Sequence, residues 1–170
     1  MKERSIHQGL IPYTLRFVAV HTLTYAFFGI IFMLLSDYFG HFQNDPLFSQ
    51  VMKGSDALTV RLAIPVQILR GALLSFAIYP FYKVIIEQRF GWINLFILLF
   101  ILTSVGSVIT GPGSIEGFLY TKFTFNPIIG YPEIGAQMLV FSWLFCRWQR
   151  KNSLDSRNHE DKEDNESIQL

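Results

Sequence analysis

Long apolar runs separated by short polar segments dominate this chain. A helix needs about 20 apolar residues to cross a hydrocarbon core of roughly 30 Å. Four runs reach or approach that length: residues 14–36, 57–82, 92–110 and 130–148. Apolar residues occur all round each run and do not alternate as they would in barrel strands. A helix also satisfies its own backbone groups, which a bilayer demands. The pattern predicts an all-α integral membrane protein, a bundle of four transmembrane helices. The third run, "WINLFILLFILTSVGSVIT", is the most uniformly apolar. The fourth, "GYPEIGAQMLVFSWLFCRW", is short and carries Glu133 near its start.

The polar flanks predict orientation, because cytoplasmic loops carry the excess of Lys and Arg. Lys2, Arg4 and Arg16 lie before or at the first run, Lys83 and Arg89 between the second and third, and Arg147, Arg150 and Lys151 at the end of the fourth. The other two loops offer only Lys53, beside Asp37, Asp45 and Asp56, and Lys122. The alternation places both termini in the cytoplasm, and the expected location is the cell membrane, multi-pass. Tyr13, Tyr82, Trp92, Tyr131 and Trp148 near the run ends suit the membrane–water interface.

The chain divides into three regions: a cytoplasmic N-terminal segment 1–13, a transmembrane domain 14–150, and a polar tail 151–170 expected to be disordered. The first apolar run is too long for a signal-peptide core and no small-residue cleavage pattern closes it, so it is expected to be retained. The first outer loop, residues 37–56, mixes aromatic and polar residues as a surface-lying amphipathic piece would, with Ser55 or Asp56 capping the second helix.

Composition agrees. The 170 residues are 51% hydrophobic and 16% aromatic, and only 16% are charged, against about 25% in a soluble domain. The net charge of +1, with basic residues at the membrane flanks, argues against a nucleic-acid partner and for anionic lipid. The lone Cys146 excludes an intramolecular disulfide and a cysteine metal cluster. No cofactor signature is present, and no second histidine accompanies His21 in a span to complete a metal site.

Candidate chemistry rests on polar residues within the runs. Arg70 lies near the middle of the second, where a charge costs about 2.5–3.5 kcal/mol on insertion scales. Snorkelling cannot easily carry it out, so it is expected to face the bundle interior and find a partner. Gln67, Gly71 and Ser75 occur at a spacing of four, a small polar stripe that lets another helix approach closely. Pro65 and Pro80 punctuate the same helix. Thr103, Gly106, Ser107 and Thr110 make a second small stripe on the third run, and His21, Thr24 and Tyr25 share one side of the first.

Arg70 requires an acceptor. Glu133 comes directly after Pro132 as an acid in a first helical turn, and Asp56 has a similar role at the second helix. Glu116, in "GPGSIEGFLYTKF", has no such role. That stretch admits two readings. It is a surface turn, with Gly111 as a helix cap and Pro112 as the stop, or residues 112–121 dip into the bundle and carry Glu116 to Arg70 and Gln67.

These residues lead to the expectation of a small membrane protein that transports or binds a small polar or anionic ligand. Its polar cavity would involve Arg70, Gln67, Glu116, His21, Tyr25 and Ser107. Four short spans are few for a monomeric transporter, so this reading implies a homodimer or a larger complex. The rival reading is a non-catalytic subunit whose small-residue stripes dock a partner. An intramembrane enzyme finds no support, since no "HExxH", "GxSxG" or phosphate-binding loop occurs.

Overall fold

The computed structural model describes residues 9–35, 57–108, 111, 113–122 and 127–168, with isolated positions between 40 and 53, and the side chains of the last helix to Asp155. The expected surface piece in the first outer loop, the Ser55 or Asp56 cap, and Thr110 and Pro112 lie outside these residues.

Among the described residues every regular element is helical. In chain order they are α1 (Leu10–Leu35), α2 (Leu58–Arg61), α3 (Ala63–Ile78), a 3-10 turn (Tyr79–Phe81), a π-helical turn (Lys83–Glu87), α4 (Gly91–Phe100), a second π-helical turn (Ile101–Val105), α5 (Ile115–Tyr120) and α6 (Pro127–Ile168). Two helical runs are long and apolar enough to cross a membrane, Leu10–Leu35 and Ala63–Phe81, with 17% and 22% of their apolar stretches buried. Gly91–Val105 is apolar but shorter. The fourth expected span lies inside α6.

Prolines set the breaks in the second run. The Pro65 ring would collide with the Arg61 carbonyl and offers it no N–H. The chain turns at Leu62 between α2 and α3, and the ladder resumes with the Val66 amide donating to the Leu62 carbonyl at 3.0 Å. Pro80 lies in the 3-10 turn for the same reason. In α6 no Gly or Pro occurs after Gly135. The helix therefore continues to Ile168, through the tail whose polarity predicts disorder.

α1 packs against α3 and against α6, and α6 packs against α4. The neighbours are antiparallel: α1 meets α3 at Thr14–Ser75 and at His21–Gln67, and meets α6 at Tyr13–Phe145 and at Phe17–Phe141. Side chains on α1 at helical spacing, Tyr13, Phe17, Val20, His21 and Thr24, are buried. So are Gln67, Gly71, Ser75 and Ile78 on α3. The small stripe on α3 thus faces α1, and its effect is geometric: a Cβ added at Gly71 would lie 3.1 Å from His21 Cδ2 and 3.4 Å from the Val18 Cα.

The apolar core occupies one end of the bundle. Tyr13, Phe17, Phe141 and Phe145 meet there, edge-to-face at 4.8–5.2 Å in the pairs Tyr13–Phe145, Phe17–Phe141 and Phe17–Phe145. Ile78, Tyr82, Ile85, Ile86, Leu95 and Leu99 complete it. The exterior is apolar as well. Leu23, Phe27, Leu69, Leu73 and Phe76 are exposed, while His21, Gln67, Ser75, Ser142 and Gln149 are buried.

Beyond the core, polar groups tie the helix ends together. Arg16 Nη1 donates to Gln149 Oε1 at 3.0 Å, Gln149 Nε2 donates to the Tyr82 hydroxyl at 3.4 Å, and that hydroxyl lies 2.9 Å from Ser153 Oγ. Arg150 answers the carbonyls at the end of the first π-helical turn. Its Nε donates to Ile86 O at 2.6 Å, Nη1 to Arg89 O at 3.1 Å and Nη2 to Gln88 O. The planar guanidinium fork suits a cluster of carbonyls at the point where the helical ladder ends.

Candidate functional site

Towards the other end of the bundle the helices enclose a cavity of about 290 Å³. Each long helix supplies a pair of lining residues one turn apart: His21 and Tyr25 from α1, Arg70 and Leu74 from α3, Leu99 and Thr103 from α4 and its π-helical turn, and Glu133 and Gln137 from α6. A spacing of four places both members on one helix face, which is why four separate segments converge here. Ser104, Ile134, Met138 and Phe141 complete the wall. Phe141 also belongs to the aromatic core, so the cavity rests directly on that core.

Beside the cavity, the His21 ring is held by Gln67. Its Nε2 lies 3.3 Å from Gln67 Oε1, so the two groups share one hydrogen bond across the α1–α3 seam. The side chain of Thr24 donates locally, to the Val20 carbonyl at 2.8 Å and to that of His21 at 3.1 Å. Thr103 Oγ1 likewise donates to the Leu99 carbonyl at 2.8 Å.

The cavity holds one cation and one carboxylate. Arg70 lines it and is exposed, where the sequence predicts an inward residue with a partner. Among the described residues Arg70 makes no ion pair, and neither does Glu133, although both line the same space. His21 and Tyr25 line the cavity, and Gln67 lies behind His21.

Glu116 is not at the cavity. It stands in the first turn of α5, capped by Ser114, whose Oγ accepts from the Gly117 amide at 2.9 Å and from the Gly111 amide at 3.2 Å. The acid therefore has a helix-start role that its sequence neighbourhood does not suggest. A Cβ at Gly117 would lie 1.9 Å from the Gly111 carbonyl oxygen, so only glycine allows the chain to fold back so tightly. The segment does not dip inward. Ile115, Phe118, Leu119 and Tyr120 are exposed, and the Tyr131 hydroxyl of α6 donates to the Gly113 carbonyl at 3.2 Å.

Ser107 is also displaced from the cavity, and the cause is the π-helical turn. There the Gly106 amide donates to the Ile101 carbonyl at 2.7 Å, five residues back. The extra residue rotates the chain beyond it, so a stripe drawn at α-helical spacing from Thr103 no longer reaches Ser107. Thr103 and Ser104 line the cavity instead.

Glu133 and Gln137 are the residues that sequence reasoning misses. Pro132 and Glu133 read as a helix start, but α6 begins earlier, at Pro127, and Pro132 lies inside it. The available signal is the run Glu133, Gln137, Phe141 at a spacing of four.

Chemically the cavity suits recognition. Arg70 offers several N–H donors to an anion, Glu133 accepts from a cation or a donor, and Tyr25, Ser104 and Gln137 add neutral hydrogen-bonding groups. Among the described residues no hydroxyl is hydrogen-bonded to the His21 ring as a nucleophile would be to its base. Among the described residues no three metal-ligating side chains cluster. Compared with known protein families, with curated proteins and with solved structures, the chain matches none of them.

Proposed function

We propose that this chain is a multi-pass membrane protein that binds a small anionic or polar ligand at Arg70. The observation that carries the reading is an arginine in a cavity lined by all four long helices, with no described carboxylate in ion-pair reach. A charged side chain at such depth is expensive, and a ligand anion would supply its counter-charge. The volume of about 290 Å³ lies at the lower limit of ligand pockets and suits a small solute.

Membrane insertion is supported by the distribution of side chains. Leu23, Phe27, Leu69, Leu73 and Phe76 face outward while Gln67, Ser75 and Ser142 are buried. That is the reverse of a soluble helical protein and matches lipid outside with packing and hydrogen bonds inside. The two longest apolar runs are mostly unburied, unlike the core helix of a soluble fold. In this reading α1, α3 with its 3-10 turn, α4 with its π-helical turn, and the first half of α6 all span, with both termini cytoplasmic. The docking-subunit reading loses its main support, because the Gly71–Ser75 stripe is already occupied by α1.

The test uses Thr103→Cys in a Cys146→Ser background, in detergent micelles, with methyl methanethiosulfonate as the thiol probe. Propionate should slow modification at position 103 in a saturable way, and Arg70→Gln should abolish the effect. Protection that survives Arg70→Gln unchanged would refute the site. Reporter fusions after residue 88 and after residue 155 should both report the cytoplasm; an external signal from either would refute the arrangement.

A further inference from the structure

The cavity contains a carboxylate as well as a cation, and the two are held apart. Arg70 comes from α3 and Glu133 from α6. These helices do not form one of the main packing pairs of the bundle; each packs on α1. Neither side chain makes an ion pair among the described residues. Opposite charges at a surface lose little by staying apart. Within a membrane, as proposed, little water is at hand and the same separation leaves both charges uncompensated.

We infer that the ligand is a small zwitterion, with its anionic group on Arg70 and its cationic group on Glu133. This rests on the proposal that the cavity is a ligand site. A purely anionic ligand satisfies Arg70 but sets a second negative charge against Glu133. A purely cationic ligand does the reverse. A molecule with both charges, joined by a short apolar spacer, compensates both at once. The rest of the wall fits that shape. Leu74, Leu99 and Met138 offer an apolar lining to the spacer, and Tyr25, Ser104 and Gln137 offer neutral polar contacts around it. The spacer length is set by the gap between the two helices, so the site measures the distance between ligand charges.

The test is a series of ω-amino acids from glycine to 5-aminopentanoate, each compared with the carboxylate and the amine of equal chain length. The readout is protection of Thr103→Cys from methyl methanethiosulfonate in the Cys146→Ser protein. One amino acid should protect at a concentration about tenfold lower than its matching carboxylate, a difference of about 1.4 kcal/mol. Glu133→Gln should erase that advantage and strengthen protection by the carboxylate, because it removes the opposing negative charge. Glu133→Asp, which withdraws the carboxylate by one methylene, should move the preferred spacer one methylene longer. That shift in length preference is not expected from a merely misfolded variant.

Equal protection by amino acid and carboxylate across the series would overturn the zwitterion and leave the anion site standing. Protection by the carboxylates and amino acids that is indifferent to Arg70→Gln would overturn both. Absence of protection by any compound, in protein that elutes as a folded species, would also overturn both.

Discussion

The ring of His21 lies against the backbone of Gly71, so close that a Cβ at position 71 would come within 3.1 Å of His21 Cδ2. This contact sets the spacing of α1 and α3, and the shape of the cavity beside them depends on it. Gly71→Leu should force the two helices apart and lower stability by about 1–3 kcal/mol, as overpacking does. Gly71→Ala should cost less, because the imidazole ring can turn away. Thermal unfolding in a fixed detergent checks both variants, and a Leu variant as stable as the parent would show that the seam has room to spare.

The hydrogen bond between His21 and Gln67 should appear as a coupling energy. Single substitutions to Ala at either position remove it, and the double substitution should lose about 1 kcal/mol less than their sum. Additive losses from chemical unfolding of the four proteins would mean that the 3.3 Å contact contributes nothing.

Phe145 is fully buried and stacks on Phe141 with ring planes 5° apart. Phe145→Ala should cost about 3–5 kcal/mol, through a cavity that the rigid neighbours cannot close. Leu23→Ala, at a side chain 70% exposed, should change stability by less than about 0.5 kcal/mol. Similar losses at the two positions would contradict the assignment of inside and outside.

Arg150→Lys keeps the charge but not the fork. A single ammonium cannot meet the carbonyls of Ile86, Gln88 and Arg89 together, so the variant should lose about 1–3 kcal/mol and expose the turn before α4 to protease. Limited proteolysis followed by mass mapping reads the result. Cleavage unchanged between residues 87 and 91 would count against the clamp.

In detergent-solubilised Cys146→Ser protein, Glu116→Cys should react with a bulky maleimide much faster than Gln137→Cys. The first position lies in the first turn of α5, away from the cavity, and the second on the cavity wall. Equal rates would return Glu116 to the interior.

The parts of this arrangement that repeat at helical spacing are legible in the sequence. Gln67, Gly71 and Ser75 announce a packing face because one local rule, a period of four on a regular helix, governs all three. The same rule fails at Ser107, where a π-helical turn that no single residue marks changes the register. It fails at Glu133 for a different reason. A proline near the start of an apolar run resembles a helix beginning, and the true start is only five residues away. Glu116 reads as a free partner for Arg70 because the Ser114 cap, which gives it a local role, depends on a backbone reversal between Gly111 and Gly117. The Arg16–Gln149–Tyr82–Ser153 ties join residues far apart in the chain, and no local pattern reports them.

Phe141 forms part of the floor of the cavity, and Phe17 and Phe145 stand directly behind it. If the cavity binds a solute as proposed, that solute meets a closed aromatic wall on this side. Conversion of the berth into a passage would require the edge-to-face contacts among Tyr13, Phe17, Phe141 and Phe145 to part together. The aromatic cluster that holds the bundle closed would then also set the height of the barrier between the two sides.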